Sequence, residues 1–216
     1  MKQEKIIEEM KRKNLNKIKK NKSDMADISQ NWLSILIPFS YDYNKKFSGS
    51  ELSRIVGIPQ RSVSRYLFQI VKRNLLKFEV RGKNKFYYLD LGDERTKVIL
   101  NLIESYKSFI FSLNNKLWKD LDLLREFGTI VLFGSQVKGY SDSSSDVDIV
   151  IFAKKTEKLK RILRTLPKVQ SQIISFKNFE KLIYKKDVLA TEILKNHVVF
   201  GDVSKFVDLC WRYYNG

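Results

Sequence analysis

The feature that most constrains the fold is a pair of apolar segments joined by a polar loop, residues 129–152 (TIVLFGSQVKGYSDSSSDVDIVIF). The first segment ends at Gly134-Ser135, ten residues separate Ser135 from Asp146, and Asp148 follows after one more residue. Each apolar run has the length of a buried strand. Side chains two positions apart on a strand point to the same side, so Asp146 and Asp148 would present paired carboxylates. The pattern therefore predicts a buried sheet with an acidic site near a Gly-Ser turn.

The residue types around this loop suit a metal-bound polyphosphate. Mg²⁺ is commonly held by one or two carboxylates together with phosphate oxygens. Gly134 lets the backbone approach a phosphate without a Cβ clash, and Ser135 adds a hydroxyl donor. The residues SQVKG predict a short helix whose free N–H groups attract anions, with Lys138 adding positive charge. Turn chemistry alone explains SDSSSD, so the prediction depends on the glycine, serine, spacing, aspartates and strands together.

The pattern G-S-x10-D-x-D resembles the nucleotidyltransferase superfamily typified by DNA polymerase β, and it is most similar to the minimal nucleotidyltransferases of prokaryotes. The resemblance covers about residues 115–216 and includes a small residue, Gly139, inside the loop. It implies Mg²⁺-dependent transfer of a nucleoside monophosphate from an NTP to an acceptor. The implied site consists of catalytic and metal-binding Asp146 and Asp148, with Gly134, Ser135 and Lys138 binding the nucleotide.

The sequence departs from this family at one expected position. Active members carry a third carboxylate on a later strand, which is expected here within residues 167–176 (PKVQSQIISF), where Gln170 and Gln172 stand but no acid. The nearest later acids, Glu180 and Asp187, fall in a pattern that predicts one helix (NFEKLIYKKDVLATEILKN). Amides bind Mg²⁺ weakly and cannot act as a base near neutral pH. Either two aspartates suffice with a base from elsewhere, or the domain binds nucleotide without efficient transfer.

Positive charge is concentrated in the N-terminal part of the chain. Lys plus Arg number 41 against 24 Asp plus Glu, a net charge of +17. Residues 1–90 hold 20 basic and 9 acidic residues (net +11), and residues 91–216 hold 21 and 15 (net +6). Residues 1–22, with nine Lys or Arg and three Glu, read as a solvated tail or as an arm that follows phosphates. This asymmetry predicts a polyanionic partner for the N-terminal part.

Residues 31–91 contain the elements of a small helical domain with a β-hairpin. A capping-box pattern at Ser48 and Glu51 opens a short helix that stops at Gly57, and a basic helix begins near Pro59. Two predicted strands follow around KNK. This order resembles the winged helix-turn-helix family, which implies binding to double-stranded DNA; a domain used only for protein contacts is the alternative. The implied DNA-binding residues are Arg61, Ser62, Arg65 and Gln69 on the helix, and Arg81, Lys83 and Lys85 on the hairpin.

Together these patterns predict an α/β (α+β) chain of four segments. They are a basic arm at 1–27, a winged helix-turn-helix domain at 28–92, a helical linker at 93–127, and a nucleotidyltransferase domain at 128–216 with a mixed sheet flanked by helices. Within the linker, Ile99, Ile103, Tyr106, Ile110, Leu113 and Leu117 form a stripe at spacings of four and three. That stripe either packs on the following domain or forms a homodimer seam through residues 93–117.

Composition excludes several functional classes. One Cys and one His exclude a disulfide scaffold and a Cys/His zinc finger. His197 stands beside a Val-Val-Phe run and Cys210 among Val207, Leu209 and Trp211, so both are expected to be structural and a hydrolytic nucleophile is not predicted. No apolar run reaches about 18 residues, which predicts a soluble, cytoplasmic protein without a membrane partner. The competing functional prediction is a DNA-binding transcriptional regulator whose nucleotide-binding domain is catalytically weak or inactive.

Overall fold

The computed structural model describes residues 29–138 and 146–216. The predicted basic arm, Gly139 and most of the Ser/Asp-rich loop lie outside the described residues. The chain divides into two compact units, residues 1–30 and residues 31–216, and the second contains all the elements that concern the site. Within the described ranges, no helix combines the length and the apolar character that a membrane span needs.

The N-terminal part combines three helices, a 3₁₀ turn and a small antiparallel sheet. Its strands are arranged in the order β1-β3-β2. The elements are α1 (Gln30–Leu36), a 3₁₀ turn (Ile37–Ser40), β1 (Phe47–Ser48), α2 (Gly49–Val56), α3 (Gln60–Lys72), β2 (Lys77–Arg81) and β3 (Asn84–Tyr88).

Local sequence signals explain where these helices begin and end. The predicted capping box is present: Ser48 Oγ accepts from the Glu51 N–H at 3.2 Å, and the Glu51 carboxylate accepts from the Ser48 N–H at 2.7 Å. Gly57 ends α2 with a φ of +67°, a conformation that glycine adopts without strain. The buried side of α3 carries Val63, Leu67 and Ile70, as its spacing predicts.

The C-terminal part is a four-stranded mixed sheet flanked by helices. The strand order is β6-β5-β4-β7, in which β5 and β6 are parallel and the other pairs antiparallel. The elements are α4 (Glu94–Asn114), α5 (Trp118–Asp122), a 3₁₀ turn (Arg125–Phe127), β4 (Thr129–Phe133), α6 (Ser135–Lys138), β5 (Val147–Phe152), α7 (Glu157–Arg164), β6 (Val169–Ile174), α8 (Phe176–Tyr184), α9 (Val188–Lys195), β7 (His197–Phe200) and α10 (Val203–Asn215).

Two helical predictions were wrong in their extent. The segment expected as one helix after β6 forms α8 and α9, because Lys186 adopts a φ of +55° and the Asp187 carboxylate caps α9 by accepting from the Leu189 N–H at 3.0 Å. The helical linker likewise breaks at Asn115, whose backbone is extended. Within α4, Ile99 and Ile103 are buried inside the chain, whereas Leu113 is exposed, so the predicted stripe packs internally over part of its length.

The sheet has apolar side chains on both faces. On one face, strand residues pack with the helices that precede and follow them into a single cluster: Leu121, Leu124, Ile130, Leu132, Val147, Ile149, Ile151, Leu159, Leu166, Val198 and Phe200. On the other face, Phe152 packs against Phe176 of α8 with ring centroids 4.2 Å apart, and Phe179 contacts Phe206 of α10. Alternate residues of β4 and β5 thus pack on opposite faces of the sheet. This alternation determines the face on which each polar residue of these strands lies.

A buried ionic cluster joins α4 to β7. Glu104 Oε2 lies 2.9 Å from Lys107 Nζ, and Glu104 Oε1 lies 3.0 Å from His197 Nε2. Lys107 also donates to Ser40 Oγ at 3.1 Å and lies 4.1 Å from the ring centroid of Tyr41. Burial opposes ionisation of Glu104, but Lys107 and His197 together lower its pKa to about 2. The cluster therefore links the N-terminal part to the sheet, and His197 is structural as predicted.

We expect Glu104→Gln to lower the free energy of unfolding by about 3 kcal/mol, because it leaves the buried Lys107 ammonium without its counter-charge. Adding Lys107→Met should recover much of this loss, since the pair is then removed together. Chemical denaturation measures both effects. The matched control is Glu94→Gln, whose exposed carboxylate lies 3.7 Å from Lys97 and should cost under about 0.5 kcal/mol. Equal losses for Glu104→Gln and Glu94→Gln would contradict this account.

Candidate functional site

The predicted glycine and aspartate meet at one end of the mixed sheet. Phe133, the last residue of β4, pairs with Asp148 on one side and with His197 on the other. Gly134 follows directly, buried and with a φ of +75°. The backbone thus turns away from the sheet beside Asp148, as the Gly-Ser turn predicts.

The absence of a side chain at Gly134 makes room for the Asp148 carboxylate. A Cβ built on Gly134 would lie 2.6 Å from Asp148 Oδ2, closer than real Cβ contacts come. The positive φ also disfavours any other residue at this position. Gly134 is therefore required twice, for its backbone conformation and for the packing of the carboxylate.

The electrostatic environment of Asp148 is acidic. The side chain is half-buried, and the pKa of Asp148 is raised by desolvation and by the negative charges of Glu192 and Asp146. Asp146, just before β5, is exposed. These neighbouring negative charges destabilise the ionised form of Asp148, and a bound cation would offset their repulsion.

Glu192 is a residue that the sequence analysis missed. It lies on α9, and its carbonyl oxygen accepts from the Asn196 N–H at 3.1 Å, just before β7 begins at His197. Because β7 pairs with β4, this helix end returns to the end of the sheet that carries Gly134 and Asp148. The prediction considered the acids Glu180 and Asp187 instead, but Glu180 pairs with Arg212 at 2.9 Å and Asp187 caps α9. No local pattern distinguishes Glu192 from other helical glutamates.

The position beside Asp148 on the neighbouring strand is Gln170. The strand expected within residues 167–176 is β6, and its parallel register pairs Asp148 with Gln170. Gln170 is exposed. The structure thus identifies the place on the sheet where the expected third carboxylate is missing.

The residues predicted to bind phosphates are only partly described. Ser135 begins α6 and is half-buried, while the Lys138 side chain lies outside what the structure describes. The predicted helix is present but has four residues. One turn has a weak dipole, so Gly134 and the Ser135 hydroxyl are the stronger candidates for phosphate contact.

The carboxylates fit a divalent cation only in combination with other ligands. Among residues 29–138 and 146–216, no three His, Cys, Asp or Glu side chains are arranged to hold a metal ion by themselves. Asp146 and Asp148 supply the oxygen donors that Mg²⁺ prefers, and phosphate oxygens and water commonly complete such a shell. The donor set therefore fits Mg²⁺ held jointly with a polyphosphate.

A cavity of about 540 Å³ lies between the N-terminal part and the segment that precedes β7. Its walls are largely apolar, including Ile37, Phe47 and Val56 of the N-terminal part, with Lys195 and Asn196 on the other side. Asn196 directly precedes His197, the partner of Phe133, so one wall of the cavity borders the chain where β7 begins, although Gly134 and Asp148 do not line it. Its volume suits a small organic ligand.

The predicted DNA-binding residues of α3 do not all face outward. Arg61 and Arg65 are exposed, and Ser62 is half-buried. Gln69 is half-buried, and its Oε1 accepts from the Trp32 indole N–H at 3.2 Å, a contact between α1 and α3. The contact with Trp32 of α1 sets the orientation of the Gln69 side chain, and periodicity within α3 does not predict such a contact.

The hairpin presents its basic residues in different environments. Lys83 is exposed in the turn between β2 and β3. Arg81 pairs with Glu79 at 2.5 Å, and Lys85 lies 4.3 Å from the ring centroid of Phe78. All three remain on the hairpin, although Arg81 is partly neutralised by its partner.

Exposed Phe68 is a second residue that sequence reasoning missed. It lies on α3 between Arg65 and Lys72 with 71% of its surface exposed. An apolar residue at a polar-face position is the signal that could have found it. A side chain of this kind can contact thymine methyl groups or unstacked bases.

Comparison with known protein families finds a similarity in the C-terminal part of the chain. Residues 115–204 match the family model described as Polymerase beta, Nucleotidyltransferase. Neither the curated proteins nor the solved structures contain a match to this chain. The family match supports a nucleotidyltransferase domain and nucleotidyl transfer, and its segment contains Gly134, Ser135, Asp146, Asp148 and Glu192.

We expect Gly134→Ala to destabilise the protein more than Gly82→Ala. Gly82 has a φ of +60° with open space around its Cβ position, so alanine there costs about 1 kcal/mol from the backbone alone. At Gly134 the clash with Asp148 adds to a similar backbone cost. Urea denaturation of both variants measures the difference. In an Asp148→Ala background, Gly134→Ala should destabilise the protein no more than Gly82→Ala does. If the additional destabilisation persists there, the contact between Gly134 and Asp148 is not its cause.

Proposed function

We propose that the chain is an Mg²⁺-dependent nucleotidyltransferase that moves a nucleoside monophosphate from an NTP to an acceptor hydroxyl. The observation that carries this proposal is the packing of the Asp148 carboxylate against Gly134 at the end of the sheet, within the segment that matches the nucleotidyltransferase family. In the reaction, the acceptor oxygen bonds to the α-phosphorus, the bond to the β-phosphate breaks, and pyrophosphate leaves.

Each residue has a role that follows from its position. Gly134 and Ser135 line the path of the β- and γ-phosphates, where the glycine allows close approach and the hydroxyl donates a hydrogen bond. Asp146 and Asp148 hold the cation together with the phosphates. Mg²⁺, when bound, supplies positive charge that offsets the charge developing on the phosphate oxygens.

Glu192 is the candidate for the carboxylate missing from β6. It is close enough to Asp148 to raise its pKa, and it lies at the end of the sheet occupied by the other site residues. A carboxylate there could accept the proton of the attacking hydroxyl. We assign Glu192 this role, with the cavity beside Asn196 receiving the nucleoside part of the NTP.

We expect the full chain, given each α-labelled NTP and Mg²⁺, to transfer label to itself or to an added nucleic acid. Asp148→Ala should abolish transfer, and Glu192→Gln should lower it by roughly 100-fold, the usual scale for loss of a general base. Scintillation counting of the separated products measures the label. The control is Glu180→Gln, whose carboxylate pairs with Arg212 and should leave transfer unchanged. If calorimetry shows that the unmodified protein binds no NTP, the proposal is wrong.

A second candidate function rests on Gln170. An amide at the position beside Asp148 favours a domain that binds nucleotide without efficient transfer and regulates DNA binding. Binding of NTP with no transfer in the unmodified protein would support this candidate. Gain of transfer in Gln170→Asp would then show that the missing carboxylate limits the reaction.

We further propose that the N-terminal part binds double-stranded DNA as a winged helix-turn-helix domain. Supporting this are the exposed Arg61, Arg65 and Phe68 on α3 and the exposed Lys83 on the hairpin. The major groove of DNA is wide enough to admit an α-helix such as α3, and the hairpin can contact phosphates. DNA binding would direct the C-terminal domain to a nucleic-acid site.

We expect Arg65→Ala in the full chain to weaken binding to duplex DNA. If Arg65 contacts a phosphate, the slope of log K against log salt concentration should fall by about 0.9. Fluorescence anisotropy across a salt series measures both quantities. Arg164→Ala on α7 makes the same change of charge at an exposed position of the C-terminal domain. A similar change of affinity and slope in the two variants would contradict a specific role for α3.

A further inference from the structure

Helix α4 carries an exposed apolar stripe on the side opposite its buried residues. Val98, Leu102, Phe109 and Leu113 are 71%, 40%, 56% and 64% exposed, respectively. The stripe extends over 15 residue steps, or about 22 Å of helix. Contiguous apolar surface of this extent on a folded chain marks an interaction site more often than chance exposure does.

This stripe differs from its surroundings in charge. From Val98 to Asn115 the only ionisable acidic or basic side chains are Glu104 and Lys107, and both are buried against each other. The exposed side of α4 is therefore uncharged over this range. In a chain of net charge +17, an uncharged face is where two copies can meet with the least mutual repulsion.

The spacing of the stripe is the same in both directions along the helix. The steps between its four residues are four, seven and four, so the stripe is symmetric about the point between Ser105 and Tyr106. An antiparallel pair of α4 helices related by a two-fold axis at this point places Val98 beside the second copy's Leu113. It places Leu102 beside the second copy's Phe109 in the same way. Each apolar residue then meets an apolar residue, which is the self-complementarity that a two-fold interface requires.

The surface next to the stripe provides room for an inserted side chain. A concavity of about 190 Å³ is lined by Ser105, Ser108, Phe109 and Ser112 of α4, with Phe200 on its far wall. Arg125, the one charged residue among the described residues that line it, is paired with Asp122 at 3.0 Å. The small serines let a second helix approach closely, while Phe109 lines the place that the second copy's Leu102 would reach. Alternation of large and small residues in this way allows two helices to interdigitate.

The ends of the stripe carry opposite charges. Glu94 lies four residues before Val98, and Lys116 lies three residues after Leu113. The antiparallel arrangement brings Glu94 of one copy toward Lys116 of the other at both ends, whereas a parallel one brings like charges together. The nearby Arg95 is already paired with Asp93, and Lys97, which lies 3.7 Å from Glu94, is closer to Asp208 at 3.2 Å, so exposed Glu94 has only a loose partner within the described part of its own copy.

We infer that the chain forms a two-fold homodimer through antiparallel contact of α4, with Val98, Leu102, Phe109 and Leu113 as the buried residues of the interface. This face shares only Leu113 with the predicted seam, since Ile99 and Ile103 are buried inside each copy.

Sedimentation equilibrium of the full chain tests the dimer directly. We expect a mass twice the 25.5 kDa of one chain, and a return to one chain's mass in Phe109→Glu. Val188→Glu, at an 82% exposed apolar position on α9, is the matched control and should remain dimeric. A monomeric unmodified protein throughout the micromolar range would overturn the proposal, as would a dimer that Phe109→Glu leaves intact while its circular dichroism shows a folded chain.

Cysteine cross-linking with a short bismaleimide tests the orientation. Ser105→Cys, next to the axis, should cross-link into a dimer, and so should a mixture of Val98→Cys and Leu113→Cys chains. Leu113→Cys alone should not, because its two copies lie about 22 Å apart in the antiparallel arrangement. The native Cys210 is buried and its thiol pKa is raised by burial, so the unmodified protein is the blank. Efficient cross-linking of Leu113→Cys alone would indicate a parallel pair and overturn the arrangement.

Discussion

The buried cluster of Glu104, Lys107 and His197 is the interaction on which the arrangement of the protein depends. Removing two charges from water is costly, and the cost is recovered only when the partners hold each other at hydrogen-bonding distance. Here the acid and the base come from one helix, α4, and the histidine from β7. Because Lys107 also reaches Ser40 and Tyr41, the same cluster orients the N-terminal part against the sheet. The cavity beside Asn196 exists because these two parts are held in this position.

The site combines local negative charge with an excess of positive charge on the rest of the chain. Asp146, Asp148 and Glu192 are gathered at one end of the sheet, where a cation can relieve their repulsion. A net charge of +17 attracts a polyphosphate or a nucleic acid from a distance. In the proposed reaction, the positive charge of the chain as a whole would attract the NTP, and the local cluster of carboxylates would bind its cation.

Much of this arrangement follows from local sequence. Three features were predictable because each depends on periodicity or on a short motif. They are the two strands β4 and β5 near Gly134, the capping box at Ser48 and the buried side of α3. The structural roles of His197 and Cys210 also followed from the apolar residues beside them. These signals determine which residues form an element and which of its sides is buried.

The remaining features depend on how distant segments meet. Glu192 comes near Asp148 because β7 pairs with β4, and half-buried Gln69 accepts a hydrogen bond from Trp32 because α1 lies beside α3. The break between α8 and α9 depends on a left-handed Lys186, a conformation that its sequence does not favour. Periodicity within one helix contains no information about these contacts.

The exposed β6 strand has a consequence for the protein's solubility. It is the outermost strand on its side of the sheet, and an outer strand with free backbone groups can recruit another chain. Gln170 and Gln172 are exposed along it, and exposed Lys168 stands just before it, where apolar residues would make such recruitment easier. The amide that stands on β6 in place of the expected carboxylate is thus also a polar residue at that edge, where it disfavours pairing with other molecules.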